Sequence, residues 1–342
     1  MPSPRSRPTA LTGGSTLTPT ATPDKIYSRW GGFIDEIPFN PMAYGMPPNS
    51  LPAIEPMQLL MLEVVRAALA DAGYLDRPFP RDTTSAIMAV GGGLGDRGFQ
   101  YAFRAYLPHF LDAAPELADA LQAQLPTWTE DSFPGMLLNV LAGRVANRFD
   151  LGGPNFVVDA ACGSSLAALD IAVKDLEQRT TDMALVGAAD TVQSPFGFMS
   201  FSKTQALSPA GRCRPFDVAA DGIAISEGLA VIVLKRLDDA ARDGDTIYAV
   251  IQGVGSSSDG RDRSLTAPRP AGQLRALRRA YAKAGIDPGS VGLFEAHGTG
   301  TRLGDVVEIE ALETLLAPAQ LPPASVAVGS VKSMIGHTKS TA

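Results

Sequence analysis

One thiol and two imidazoles stand in three short motifs crowded with small residues. Cys162 lies in Val157-Val158-Asp159-Ala160-Ala161-Cys162-Gly163-Ser164-Ser165. His297 lies in Glu295-Ala296-His297-Gly298-Thr299-Gly300-Thr301, and His337 in Gly329-Ser330-Val331-Lys332-Ser333-Met334-Ile335-Gly336-His337-Thr338. Each motif reads as a β-strand running into a small-residue turn, where a polar side chain is presented to a substrate. A nucleophilic thiol with two imidazoles suits acyl transfer through a thioester.

Taken alone, a cysteine is most often a small core hydrophobe. The context of Cys162 argues otherwise. An apolar strand leads into Ala161-Cys162-Gly163 and a helix rich in small residues follows. A thiol at a helix N-terminus is expected to have a lowered pKa, which favours the thiolate. Gly163 leaves room for another group to approach, and backbone N–H groups at the turn can serve as oxyanion donors. His109, in Leu107-Pro108-His109-Phe110, reads as an ordinary surface or satisfied core residue. His297 and His337 differ because Gly and Thr surround them, so two neutral imidazoles could polarise one carbonyl or carboxylate. Lys332 precedes His337 by five residues, and Asp305 and Glu308 follow His297 closely. A buried lysine needs a carboxylate partner or a shifted pKa. A Lys332–Glu308 pair would set the local electrostatics, although each charge alone fits a solvated surface equally well.

The elements that must position these groups follow from periodicity. Apolar spacing predicts helices over Pro56–Ala72, Met136–Phe149, Ser164–Glu177 and a basic one over Ala271–Ala284. Residues 98–125 show helical spacing of aromatic and acidic positions. Short apolar runs predict strands at Ser85–Val90, Phe156–Ala161, Met183–Ala188, Leu229–Leu234, Tyr248–Val254, Val291–Glu295 and Val326–Val331. Residues 24–56 are punctuated by Pro and Gly and read as irregular. Alternating strands and helices argue for an α/β architecture with buried strands, in two related halves.

Composition narrows the class. The 342 residues allow about two domains. With 45% hydrophobic and 19% charged residues, the chain reads as a soluble globular protein. Its net charge of −7 and the lack of a basic run exclude a nucleic-acid binder. Two cysteines make neither a disulfide framework nor a zinc site and suit a reducing cytoplasm. No apolar run is long enough to span a bilayer. Gly91-Gly92-Gly93-Leu94-Gly95 lacks dinucleotide spacing and no phosphate-binding loop occurs, so no bound cofactor is expected. Residues 1–23, rich in Ser, Thr and Pro, read as a disordered leader.

The three motifs together resemble those of the β-ketoacyl synthases, the condensing enzymes of fatty-acid and polyketide assembly. Asp159-Ala160-Ala161-Cys162-Gly163-Ser164-Ser165-Leu166, Glu295 to Thr301 and Lys332-Ser333-Met334-Ile335-Gly336-His337 carry the likeness. Arg214-Pro215-Phe216-Asp217, Asp221-Gly222, Glu227-Gly228 and Gly304-Asp305 add to it. Tyr27 to Phe33 and Pro56-Met57-Gln58-Leu59-Leu60 look most like the iterative polyketide branch that makes polyunsaturated fatty acids, enediynes or glycolipids. The resemblance implies a thiolase-like fold: two related βαβαβ halves in a five-layer αβαβα stack, as a homodimer. It divides the chain into 24–245, carrying the nucleophile, and a partial second half, 246–342, carrying both histidines.

The resemblance also implies roles. Cys162 would accept an acyl chain from a phosphopantetheine thioester of acyl carrier protein or from coenzyme A. His297 and His337 would assist decarboxylation of a malonyl thioester, with Lys332, Glu308 and Asp305 in support. Three departures qualify it. Gly163 stands where many members have Ser or Ala. The family's opening strand is not visible in residues 1–23. The motif of His337 lies close to the last residue, before the further strands and the Gly-rich phenylalanine loop of the family. A fragment or split subunit, with His337 poorly held and low activity alone, is therefore expected. Rival readings are a thiolase-like cleaving enzyme, disfavoured because no cysteine follows Cys213, a partner subunit, disfavoured by the intact Cys162, and a truncated scaffold that only dimerises, left open by the absent C-terminal elements of the family.

Overall fold

A computed structural model describes residues 25–261 and 267–342. The leader and the opening strand sought in it lie outside the described residues. The irregular entry carries short 3-10 turns at Pro41–Tyr44 and Pro48–Ala53. Helix α1 spans Pro56–Asp71 and begins on a proline, which the first helical turn tolerates because its N–H has no partner there. Strand β1 (Thr84–Val90), helices α2 (Asp96–Phe110), α3 (Pro115–Gln122), α4 (Ser132–Met136) and α5 (Val140–Phe149), and strand β2 (Asn155–Val158) follow. Next come α6 (Ser164–Glu177), β3 (Met183–Asp190), α7 (Pro195–Lys203), β4 (Gly228–Leu234) and α8 (Leu237–Arg242). The second half contributes α9 (Pro270–Ala284), β5 (Leu293–Glu295), α10 (Arg302–Leu316), β6 (Ala327–Gly329) and α11 (Lys332–Ile335).

The first sheet has the order β2-β1-β3-β4, with β1 parallel to both neighbours and β4 antiparallel to β3. Every residue of β1 and β3 is buried. Period-two alternation splits their side chains between two cores. Ala86, Met88, Val90, Met183 and Leu185 pack with α1 and α5, while Ile87, Ala89, Ala184, Val186 and Ala188 pack with α6. Helices on both faces explain why these strands read as unbroken apolar runs. The result is a three-layer unit whose strand ends carry the Cys162 turn and Asp190.

Two expectations fail here for physical reasons. The helix expected over Met136–Phe149 is broken at 137–139. The fully buried Gln58 donates to the carbonyls of Pro134, Gly135 and Leu137 at 3.2, 2.9 and 2.9 Å, which satisfies backbone oxygens that a helix would have used. The strand expected over Tyr248–Val254 does not form, because no neighbouring strand among the described residues offers it a ladder. Ile247, Tyr248, Val250 and Ile251 are exposed. Downstream the segment lies flat on α9: a Cβ on Gly253 would sit 2.6 Å from the Ala280 carbonyl. The basic face of α9 serves it, with Arg279 and Arg275 donating to the carbonyls of Ser256 and Ser258 at 2.6 and 3.0 Å.

The remaining second-half strands are shorter than their apolar runs. β5 and β6 form a two-stranded parallel sheet with Phe294 opposite Val328. Phe294 packs with Leu312 and Leu315 of α10 and Leu277 and Tyr281 of α9. β2 likewise stops at Val158, because Asp159 turns the chain, as described next.

Candidate active site

Cys162 sits in a 3-10 turn, Ala161–Gly163, between β2 and α6. The turn is wired by side chains on either side. Asp159 accepts from the N–H of Ala161 at 3.0 Å and of Gly92 at 3.3 Å. The Ser164 hydroxyl accepts from Ala160 N–H at 2.8 Å and donates to Ala161 C=O at 2.6 Å. Ala161 is held at φ +51°, a left-handed conformation costing about 1–2 kcal/mol for a residue with a Cβ. These bonds offset that cost and raise Cys162 out of the strand. The N–H of Gly163 is committed to Ala160 C=O at 3.1 Å.

One expectation about this turn is corrected. The thiol pKa is raised rather than lowered: burial pushes it up, and the attraction of Lys332 offsets only part of that. Loss of hydration disfavours the charged thiolate more than the nearby lysines favour it. A Cβ on Gly163 would meet nothing within 4 Å, so the space beside it is open.

His297 leaves β5 in a loop gripped by the first turns of α10. The Glu308 carboxylate accepts from the N–H of His297 at 2.6 Å and of Gly298 at 2.8 Å. Asp305 accepts from Gly300 N–H at 3.1 Å and Phe216 N–H at 2.7 Å. Gly298 and Gly300 have φ of +40° and +74°, which glycine adopts without steric cost. A Cβ on Gly300 would also sit 2.7 Å from Arg214 N. Thus Asp305 and Glu308 shape the loop through its backbone. The direct Lys332–Glu308 ion pair is not formed, because both Glu308 oxygens are turned to backbone donors; the two charges interact through space.

His337 is 3% exposed. Its N–H donates to Ala224 C=O at 2.7 Å and its C=O accepts from Ser226 N–H at 2.9 Å. Its Nδ1 accepts from Lys339 N–H at 3.1 Å. A neutral imidazole whose Nδ1 accepts must carry its proton on Nε2. Beyond it, Ser340 donates to Ala189 C=O at 3.0 Å, Thr341 to Gly228 C=O at 3.1 Å, and Ser165 to Ala342 C=O at 2.6 Å. The expectation of a poorly held His337 is overturned, since elements of the first half bond its backbone and pin the residues after it.

The two imidazoles meet edge to face, with ring centroids 5.5 Å apart and planes at 87°. Burial pushes His337 down to about 3, with His297, Lys332 and Lys339 adding to the effect. His297 keeps an open side, yet loss of hydration still pushes it down to about 4, helped by Lys332. Both are neutral at neutral pH. Lys332, buried on α11, is lowered by burial while Cys162, Glu308, Glu295 and Cys213 oppose the shift. The Cys162 turn packs on residues 339–341, so all three motifs converge. His109 stays exposed on α2, as expected. Cys213 is buried, with its Sγ accepting from Ala224 N–H at 3.2 Å. Sequence reasoning missed Asp159 and Ser164, which lie inside the quoted motif, and Asp190 and Lys339. A lone Asp closing the apolar run Met183–Asp190 was the available signal.

Residues 4–240 match the family model described as Beta-ketoacyl synthase, N-terminal domain, and residues 248–342 the one described as its C-terminal domain. One chain of the polyunsaturated fatty acid synthase of Thraustochytrium sp. is 41% identical over 334 residues, 94% of this chain and 12% of that protein. One chain of the phenolphthiocerol/phthiocerol polyketide synthase of Mycobacterium tuberculosis is 37% identical over 316 residues, 92% of this chain and 16% of that protein. Among solved structures, the PfaC keto synthase-chain length factor superposes with a TM-score of 0.80 at 31% identity, covering 93% of this chain and 34% of that one. The ketosynthase from module 6 of the bacillaene synthase of Bacillus subtilis 168 superposes with a TM-score of 0.75 at 32% identity, covering 89% and 48%. The chain therefore spans about half the length of that solved ketosynthase and a small part of the curated relatives.

Proposed function

Because this chain belongs to the β-ketoacyl synthase family and has its thiolase-like fold, we propose that it catalyses decarboxylative Claisen condensation between an acyl group on Cys162 and a malonyl thioester. One observation carries the reading: two neutral imidazoles face each other, and the His337 ring is oriented with its Nε2 proton available.

The steps follow from these groups. Cys162 Sγ attacks the carbonyl of an acyl thioester. The carrier sulfur leaves and takes up the proton the thiol gives up. A malonyl thioester then enters. As its carbon–carboxylate bond breaks, carbon dioxide departs and charge gathers on the thioester oxygen, forming an enolate. Nε2–H of His337, with His297 beside it, donates to that oxygen as the charge develops. The enolate carbon attacks the Cys162 thioester, the carbon–sulfur bond breaks, and the thiolate regains a proton. Neutral imidazoles suit this because they donate without first losing a proton. Loss of hydration keeps them neutral, with the charge of Lys332 adding to the effect.

The carriers we propose are acyl carrier protein and coenzyme A, both presenting phosphopantetheine thiols. A homodimer is proposed on the open edge of β2, where Asn155 and Phe156 are exposed and ladder groups on one side await a partner. We place the boundary between halves near residue 245. No described helix is long and apolar enough to cross a membrane. A reducing cytoplasm suits a catalytic thiol.

Mass mapping after incubation with an acyl thioester tests the reading. The acyl group is expected on Cys162 and not on the buried Cys213. Malonyl carrier protein should then release carbon dioxide and a β-ketoacyl product. Acyl uptake absent from the intact chain would overturn it and favour a scaffold, and product formation unchanged by Cys162→Ala would overturn the role of Cys162.

A further inference from the structure

Lys339 contributes two things to the same neighbourhood. Its main-chain N–H is the donor that occupies His337 Nδ1 at 3.1 Å. Its side chain runs back to the end of β3. There Nζ lies 2.6 Å from Asp190 Oδ1 and donates to Val192 C=O at 2.6 Å. Asp190 is itself fixed, accepting from Val192 N–H at 3.2 Å and meeting Ser340 Oγ at 3.3 Å. Both side chains of the pair are largely buried.

The backbone at Lys339 is left-handed, with φ +53°. A residue with a Cβ resists that conformation and holds it only where its surroundings over-determine it. Ser340 and Thr341 tie the following residues to β3 and β4, and the ammonium clamp is the contact made by Lys339 itself. Without it the strained residue loses its own anchor, and the N–H would shift away from the imidazole. The His337 proton could then sit on either nitrogen. The charged or titratable groups reaching His337 are His297, Lys332 and Lys339. None of their side chains is hydrogen-bonded to either ring nitrogen, which leaves the Lys339 N–H to set the tautomer.

We propose that Asp190 and Lys339 are positioning residues: their buried ion pair anchors the backbone donor that holds His337 in the Nε2–H form. The kinetic part of the idea rests on the condensing role proposed above, whereas the tautomer does not. The pair touches neither substrate nor the reacting atoms, so its action passes through His337.

The chain has three histidines, which makes the tautomer directly readable by nitrogen NMR of a histidine-labelled sample, assigned with His109→Gln and His297→Gln. In the unaltered chain the His337 Nδ1 should resonate as an unprotonated nitrogen between about pH 5 and pH 8. Lys339→Met should shift both ring nitrogens toward the average of two tautomers, and Asp190→Asn should do so less. Lys339→Arg should restore the single form. Malonyl decarboxylation should fall at least about tenfold in Lys339→Met while acyl loading of Cys162 is retained. If Lys339→Met does not fold, Lys339→Gln supplies the same readout with a neutral side chain that can still donate. An Nε2–H signal unchanged by Lys339→Met or Lys339→Gln would overturn the proposal, whatever the activity. A chain that never condenses thioesters but shows the tautomer change would sink the function and leave the anchor standing.

Discussion

The two halves of the molecule differ in how their strands are covered. β1 and β3 of the first half are buried on both faces and paired along both edges. β5 and β6 of the second half have one partner each, and Leu293 on β5 is 64% exposed. The Tyr248–Val254 run has no ladder at all. Yet His337 of the second half is among the well-held groups, because it is bonded to Ala224 and Ser226 and the residues after it to β3 and β4. The order of the site comes from contacts that cross between the halves, not from the coverage of the half that bears the residue.

The sharpest break in this comparison is chemical. The thiol belongs to the first half and the imidazoles to the second, so each should fail separately. Cys162→Ala should abolish acyl uptake by at least about 10³-fold, measured by intact mass, without shifting the melting temperature. His337→Gln should leave acyl uptake in place and remove decarboxylation.

Next in size is packing. Met88 is fully buried between α1, α5 and the neighbouring strands. Met88→Ala should cost about 2–5 kcal/mol in urea unfolding, because the cavity cannot be refilled. A loss below that range would mean that the covered half is less tightly packed than its burial indicates.

Acid should act through His337. Its folded pKa, pushed down to about 3, lies below the value near 6.5 of an unfolded histidine. The unfolded chain therefore binds more protons between these values, and stability is lost as pH falls below about 6.5. At pH 5 the cost is about 2 kcal/mol, and it depends little on how far below 4 the folded value lies. His337→Gln should remove that part of the pH slope, whereas His109→Gln should not. His297, pushed down to about 4, adds a slope of its own, so a slope left unchanged by His337→Gln would show that His337 carries no such linkage.

The smallest effect is expected at Leu293. Leu293→Ser should change stability by no more than about 0.5 kcal/mol, since the side chain is already in water. A larger loss would mean that the face of β5 is covered in solution, and would weaken the contrast between halves.

Much of the fold was legible because local signals and tertiary demands agree in the first half. The helix Ser164–Glu177 falls where its apolar spacing placed it, and β1 and β3 differ from their apolar runs by a residue or two. The break at 137–139 was hidden because it depends on Gln58, far away in the chain, donating to its carbonyls. The missing strand at Tyr248–Val254 was hidden for the converse reason: a pattern qualifies a segment for pairing, but a ladder needs a partner. In the site, Cys162, His297 and His337 converge as their motifs suggested. The direction of the Cys162 shift was misread because a helix N-terminus is visible in sequence, while burial is not.

The sequence by itself determined which groups can do chemistry here: one turn-mounted thiol, two glycine-flanked imidazoles, and the carboxylates Asp305 and Glu308 at helical spacing behind them. Only the tertiary structure decided their state. It turned Glu308 to the loop backbone instead of to Lys332, made both imidazoles neutral, and set the His337 proton on Nε2 through Lys339. Residue type is local information. Hydration, charge and hydrogen-bond direction are sums over neighbours that the chain brings together only by folding.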